Sequence, residues 1–198
     1  MKEIKKVEKI IGHLPILFNQ RIVFYLASLG NIQTGVSNDL RYNLIIIEQQ
    51  INKLIIENNL EDDFKKLQEA NGIEEVTQLR GAINMMGNAK LISYIGKQAN
   101  YQTLAINGMH IVLKNQITAL EQLQRMLSIE GDNSSYEHMK DLPMLSGSVR
   151  LLFNRKDVKV IGDLKNHQSK ALNTINDNIT TLANKIDYIR EKDKNIKR

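Results

Sequence analysis

Residues 101–127 read YQTLAINGMHIVLKNQITALEQLQRML, and the spacing within them decides the fold. Met109, Leu113, Gln116, Leu120, Leu123 and Leu127 recur at alternating steps of four and three. Such steps return every side chain to one face of an α-helix, and only Gln116 breaks the apolar stripe. The same alternation runs through Leu40, Leu44, Ile47, Ile51, Leu54 and Asn58, and again through Gln168, Leu172, Ile175, Ile179, Leu182, Ile186 and Ile189. Three seams of one period can pair along their length. The expected fold is therefore all-α: an elongated, mostly antiparallel bundle of three long heptad-patterned helices, joined by an N-terminal helix. Crossing angles near about +20° follow from heptad packing. Gln116 reads as a register- or partner-specifying residue, with Gln168 as its counterpart.

Working outward, Val76, Leu79, Ile83 and Met86 lead into the central seam through a break expected at Gly87-Asn88. Gly96 and Gly108 fall inside the helical pattern and suggest close helix approach. Upstream, residues 2–29 read as helical, kinked by Gly12 and Pro15. Its second part is apolar on most sides, which suits a buried helix, a docking helix or a membrane-surface helix. Leu17, Phe18, Ile22, Phe24 and Tyr25 are the residues that a docking helix would present. Gly30 is expected to end this helix, with Asn31–Val36 a loop and a cap at Ser37 or Asn38. The next helix spans Asp39–Asn58, and its extra Ile45, Ile46, Ile55 and Ile56 imply contact on two sides. A short helix over Glu61–Ala70 places Phe64 and Leu67 inward and stops at Asn71-Gly72.

Residues 129–148 are expected to form a flexible loop, a natural partner-binding segment, with at most a helical turn at Tyr136–Leu142. Asp157–Ile161 is expected to be a turn, Asp163 a cap, and the last helix to run to Lys194. Residues 191–198 form a charged, fraying tail. No internal repeat is visible, which disfavours a solenoid.

The 198 residues fit a single domain. With 42% hydrophobic residues, only 5% aromatic and no Trp, Ile and Leu must carry the core. The absence of Cys removes disulfides, thiolate metal sites and a Cys nucleophile. No phosphate-binding glycine loop, nucleophile elbow or Glu-x-x-His pair occurs, so no catalytic residue, cofactor, metal site or small-molecule substrate is expected. His13, His110, His138 and His167 are scattered, and His110 reads as a core-edge residue. No apolar run is long enough to span a membrane, and no secretory signal is evident. The expected location is cytoplasmic, or secreted with a signal already removed.

The net charge of +5 permits nucleic-acid contact without demanding it. Arg150, Arg155, Lys156 and Lys159 are the basic residues such contact would use. The leading expectation is a non-enzymatic helical structural or interaction protein: a subunit or adaptor of a larger phage, plasmid or secretion-related assembly, with a protein partner or self-association. A nucleic-acid-binding accessory protein is the alternative.

Overall fold

The computed structural model describes residues 3–10, 20–69, 72–73, 76, 78–79, 90–131, 134–141, 145 and 155–196. The fold is an all-α bundle in which three long helices pack on one another. They are α1 (Gln20–Glu57), α3 (Lys90–Met126) and α5 (Arg155–Ile196), with short helices α2 (Glu61–Glu69) and α4 (Ser134–Lys140) in the connections. The seams read from the sequence form the core. Leu40, Leu44, Ile47, Ile51 and Leu54 of α1 meet Met109, Leu113, Leu120 and Leu123 of α3 and Leu172, Ile175, Ile179, Leu182, Ile186 and Ile189 of α5, all buried. Each such Leu or Ile contributes about 1.5–3 kcal/mol on burial.

The direction of the helices corrects the expectation of an antiparallel bundle. Gly30 and Leu44 of α1 are bonded to Gln102 and Gln116 of α3. Gln33 and Asn58 of α1 are bonded to Ser169 and Asp193 of α5. Ascending one helix therefore ascends its neighbours, and all three run parallel. Antiparallel order follows from short loops. Here residues 58–89 and 127–154 are long enough to retrace a helix of about 57 Å, at about 1.5 Å per residue.

The chain also contains a threefold internal repeat, against the expectation of none. Adding 69 to a position in the first unit reaches its equivalent in the second, and a further 66 reaches the third. Gly12, Gly81 and Gly147 are related in this way, as are Asn31, Asn100 and Asn166. So are Gln33, Gln102 and Gln168, and likewise Asn38, Asn107 and Asn173. The structure repeats with them. Gln33 Nε2 donates to the Lys165 carbonyl at 2.7 Å and to Ser169 Oγ at 2.9 Å. Gln102 Nε2 makes the same pair of bonds to Gly30 at 2.7 Å and Thr34 at 2.9 Å. Gln168 Nε2 makes them to Ala99 at 2.6 Å and Thr103 at 3.0 Å. The acceptors obey the same shifts, so the three amides close a ring from α1 to α5 to α3 and back to α1.

The ends of the first two units match too. Asn59 and Ser128, equivalent positions, carry positive φ of 55° and 52°. The next residues, Leu60 and Ile129, each donate back to a carbonyl five positions earlier, at 3.1 Å. This is the left-handed closure that stops a helix.

The second set of repeated residues holds the backbone of one further chain position against each long helix. Asn38 of α1 takes both backbone groups of Leu79: the Leu79 N–H donates to Oδ1 at 3.0 Å, and Nδ2 donates to the carbonyl at 2.9 Å. Asn107 of α3 holds Leu145 identically, at 2.9 Å both ways. Asn173 of α5 holds Ile10 at 2.8 and 3.0 Å, which closes the circle between the last helix and the first segment.

Several boundaries differ from the sequence reading. Residues 3–10 are not helical, and α1 runs unbroken through Gly30 and the residues expected to form a loop. Gly30 serves close approach rather than termination. A Cβ there would meet Gln98 Oε1 at 1.9 Å and Lys165 Nζ at 2.9 Å. At Gly108 an added Cβ would lie 3.3 Å from Val76 Cγ2, so the close approach there is to a connecting segment and not to a helix. Asp157–Ile161 belongs to α5, and Glu191–Ile196 is helical. Residues 134–140 form α4, whose buried Tyr136 and Met139 join the core. The break at Gly87-Asn88 lies outside the described residues.

Candidate docking surface

Among the described residues the interior holds several groups of buried polar side chains. The glutamine layer is fully buried, and an unbonded amide there would cost about 1–3 kcal/mol. Lys165, the third-unit equivalent of Gly30 and Ala99, is the one cation in this layer among the described residues. Its ammonium donates to Gln102 Oε1 and, at 3.2 Å, to Gln98 Oε1. Burial without a carboxylate lowers its pKa from 10.5 to about 7. His110 is buried with neither ring nitrogen hydrogen-bonded, and desolvation lowers its pKa to about 4. The expectation of a core-edge histidine is sharpened to a core one.

A third polar cluster anchors α4. Glu121, mostly buried, takes Arg125 and Lys140, the latter at 2.6 Å. Bonds from Glu121 and then Glu137 raise the pKa of Lys140. Tyr136 Oη donates to Gln124 at 2.7 Å, Lys185 lies 4.1 Å from its ring centre, and burial raises the phenol above its usual range. All of these groups are consumed in holding α4 to α3 and α5. Among the described residues no group of three or more His, Asp or Glu side chains could hold a metal ion.

The surface is more informative. Tyr25, Tyr94 and Val160 occupy equivalent positions in the three units and are 49%, 55% and 50% exposed. One heptad on, Ile32 and Tyr101 are exposed as well. On α3 the exposed apolar positions continue: Tyr94, Tyr101, Leu104 and Ile111 lie within about 100° of helical arc, opposite the seam. An apolar stripe on the outer side of a helix marks an interaction surface more often than chance scatter does. On α1, Tyr25 and Ile32 border a cleft of about 590 Å³ whose far wall is Val7, Lys9 and Ile10.

The residues proposed from sequence for partner binding are divided by the fold. Ile22 is buried in the core, while Phe24 and Tyr25 are exposed on α1. Leu17 and Phe18 lie outside the described residues. Of the basic set, Lys159 is exposed and paired with Asp163 at 2.7 Å. Arg155 and Lys156 are in the first turn of α5, and Arg150 lies outside the described residues. Sequence reasoning missed the α3 stripe. Its signal was present, since residues 94, 101, 104 and 111 fall on the face away from the seam.

Among the described residues no helix is long and apolar enough to cross a membrane. No protein family, curated protein or solved structure matches this chain. The fold and surface define it as a single-chain parallel three-helix bundle built from three related units.

Proposed function

We propose that the chain is a non-enzymatic helical structural or interaction protein, a subunit or adaptor that meets a protein partner or a second copy through the outer face of α3. The observation that carries this reading is the stripe of Tyr94, Tyr101, Leu104 and Ile111, exposed on a helix whose opposite face is fully used by the core. The buried glutamine layer and the Glu121 cluster support it by bonding one element of the bundle to another.

The test compares the native chain with Tyr101→Glu/Leu104→Glu. Both substitutions are at exposed positions, so the helical circular dichroism and thermal midpoint should be kept. Light scattering across the micromolar range, and affinity capture from cell extract, should show association by the native chain that the variant loses. A native chain that stays monomeric and captures nothing beyond what the variant captures would refute the reading.

A further inference from the structure

We propose that residues 3–10 are exchangeable between copies, so that the groove between α5 and α1 of one molecule accepts this segment from a second. The proposal does not depend on the α3 stripe.

The three grooves are alike in chemistry but not in connection. The segments around Leu79 and Leu145 lie on the chain path that joins their two flanking helices, so they cannot leave without unfolding a connection. The groove between α5 and α1 is flanked by helices that no such path joins. There α1 and α5 pack directly on one another, and residues 3–10 are seated over them without a covalent link between the two helices.

That seating is directed at the backbone. Asn173 takes both backbone groups of Ile10, and Asn43 takes both of Lys5, at 2.7 and 2.9 Å. Asn176 Nδ2 donates to the Val7 carbonyl at 3.1 Å. Two ion pairs add charge complementarity: Lys5 with Asp39 at 2.6 Å, and Lys9 with Asp177 at 2.9 Å. Both pairs are exposed, Ile4 and Val7 are only half-buried, and the cleft beside Ile10 is open. Release of the segment uncovers Ile10, its one buried core residue, and leaves α1, α3 and α5 packed on one another, so it is a local opening of the fold and not a global one.

A released segment leaves an acceptor already shaped for it. A second copy carries the same backbone groups, the same apolar spacing at Ile4, Val7 and Ile10, and the same two lysines facing Asp39 and Asp177. The intramolecular seat is favoured at low concentration by its high effective concentration, so exchange should rise steeply with protein concentration. Because the donated segment and the accepting groove are different surfaces, one-way donation is head-to-tail and can extend a row of molecules, while mutual donation closes a dimer.

The chain contains no Cys, so introduced thiols report unambiguously. Lys9→Cys and Asp177→Cys are made in separate full-length chains, mixed, incubated at high concentration and treated with a short bismaleimide. The expected result is a mixed cross-linked dimer whose yield rises with concentration. The yield should be several-fold above that of Lys9→Cys mixed with Gln49→Cys, an exposed control on α1. A doubly substituted Lys9→Cys/Asp177→Cys chain, diluted, should cross-link within itself, which verifies the seat. A mixed yield no greater than the control at every concentration would overturn the proposal, as would failure of the diluted double variant. Tyr101→Glu/Leu104→Glu should leave the mixed cross-link intact, so this test and that of the α3 face fail separately.

Discussion

Replacing the repeated asparagines with alanine, one at a time, tests the threefold repeat and its energetics together. Asn38 and Asn107 each hold one N–H and one carbonyl of a leucine, all bonds lying between 2.9 and 3.0 Å. Asn38→Ala and Asn107→Ala each remove two hydrogen bonds, worth about 1 kcal/mol apiece net. The freed backbone groups of Leu79 and Leu145 are only part-buried, so water recovers some of the desolvation cost. The expected loss is about 2–3 kcal/mol for each variant, and the two values should agree because the sites are equivalent.

Asn173→Ala should behave differently although its geometry is the same. It frees Ile10, whose segment can leave its groove while the three helices stay packed. Global stability to urea should fall by less than about 1 kcal/mol, because the native state relaxes by local opening. Hydrogen exchange distinguishes the cases. The Ile10 amide should lose its protection in Asn173→Ala, with the core of α5 unchanged. Leu79 and Leu145 should be deprotected only in their own variants. Equal global losses at all three sites would refute the distinction between connected and unconnected grooves. No loss at Asn38 and Asn107 would refute the clamp itself.

Other outcomes follow from single positions. Gln116→Leu should stabilise the chain by about 1 kcal/mol in urea unfolding, because Gln116 Oε1 is buried with no partner and its layer mates are Ile47 and Leu182. Clear destabilisation would show that its 2.8 Å bond to the Leu44 carbonyl outweighs this burden. Gly35→Ala should also stabilise, by about 1 kcal/mol, since Gly35 is exposed within α1 and a Cβ there meets nothing within 4 Å. For Lys165, the folded pKa of about 7 lies below the unfolded 10.5, so the unfolded chain binds the extra proton between these values. Stability should therefore rise with pH from about 7 to 10.5, and Lys165→Met, which keeps the stem, should flatten that rise in urea midpoints. His110 acts at lower pH. Its pKa falls from 6.5 unfolded to about 4 folded, so stability is lost as pH drops through that window. His110→Phe should reduce the slope there, and an unchanged slope would assign the acid sensitivity to other groups.

The seams were legible because burial writes a period into the choice of Ile, Leu and Met. A heptad stripe reads the same for either helix direction, so periodicity could not show that α1, α3 and α5 are parallel. The repeat was hidden for a related reason. At the core position shared by residues 40, 109 and 175, the three units use Leu, Met and Ile, which pack equivalently but differ as letters. Identity survives at Gln33, Gln102 and Gln168 and at the three clamping asparagines, where a particular amide geometry is required. Gly30 misled because a helix-stopping glycine and one that makes room for Gln98 and Lys165 look alike before the neighbours are known. At the candidate site, a helix apolar on most sides did not show which of Ile22, Phe24 and Tyr25 faces outward, and the stripe on α3 was masked by the stronger seam on the same helix. The helix that carries the clearest core signal also carries the clearest surface one.

The glutamine layer explains why parallel order is the stable one. Each amide bonds a neighbour's carbonyl three positions before that neighbour's own glutamine and the hydroxyl one position after it. These relations hold only when the helices run in the same direction and in one register. Reversing one helix, or sliding it by a turn, would leave buried amides without partners at about 1–3 kcal/mol each, whereas the surrounding Ile and Leu could repack with less loss. Apolar layers supply the greater part of the stability, and this one polar layer selects among the packings they would allow. Replacing all three glutamines with leucine, together with Lys165→Met because its ammonium loses Gln102, separates the two effects. Stability should be retained or raised, as the triplet removes unbonded oxygens on Gln33 and Gln168. Register should loosen, seen as faster amide exchange through α1, α3 and α5 at equal or higher urea midpoint. A variant that is more stable and equally well protected would show that the asparagine clamps alone suffice to fix the register.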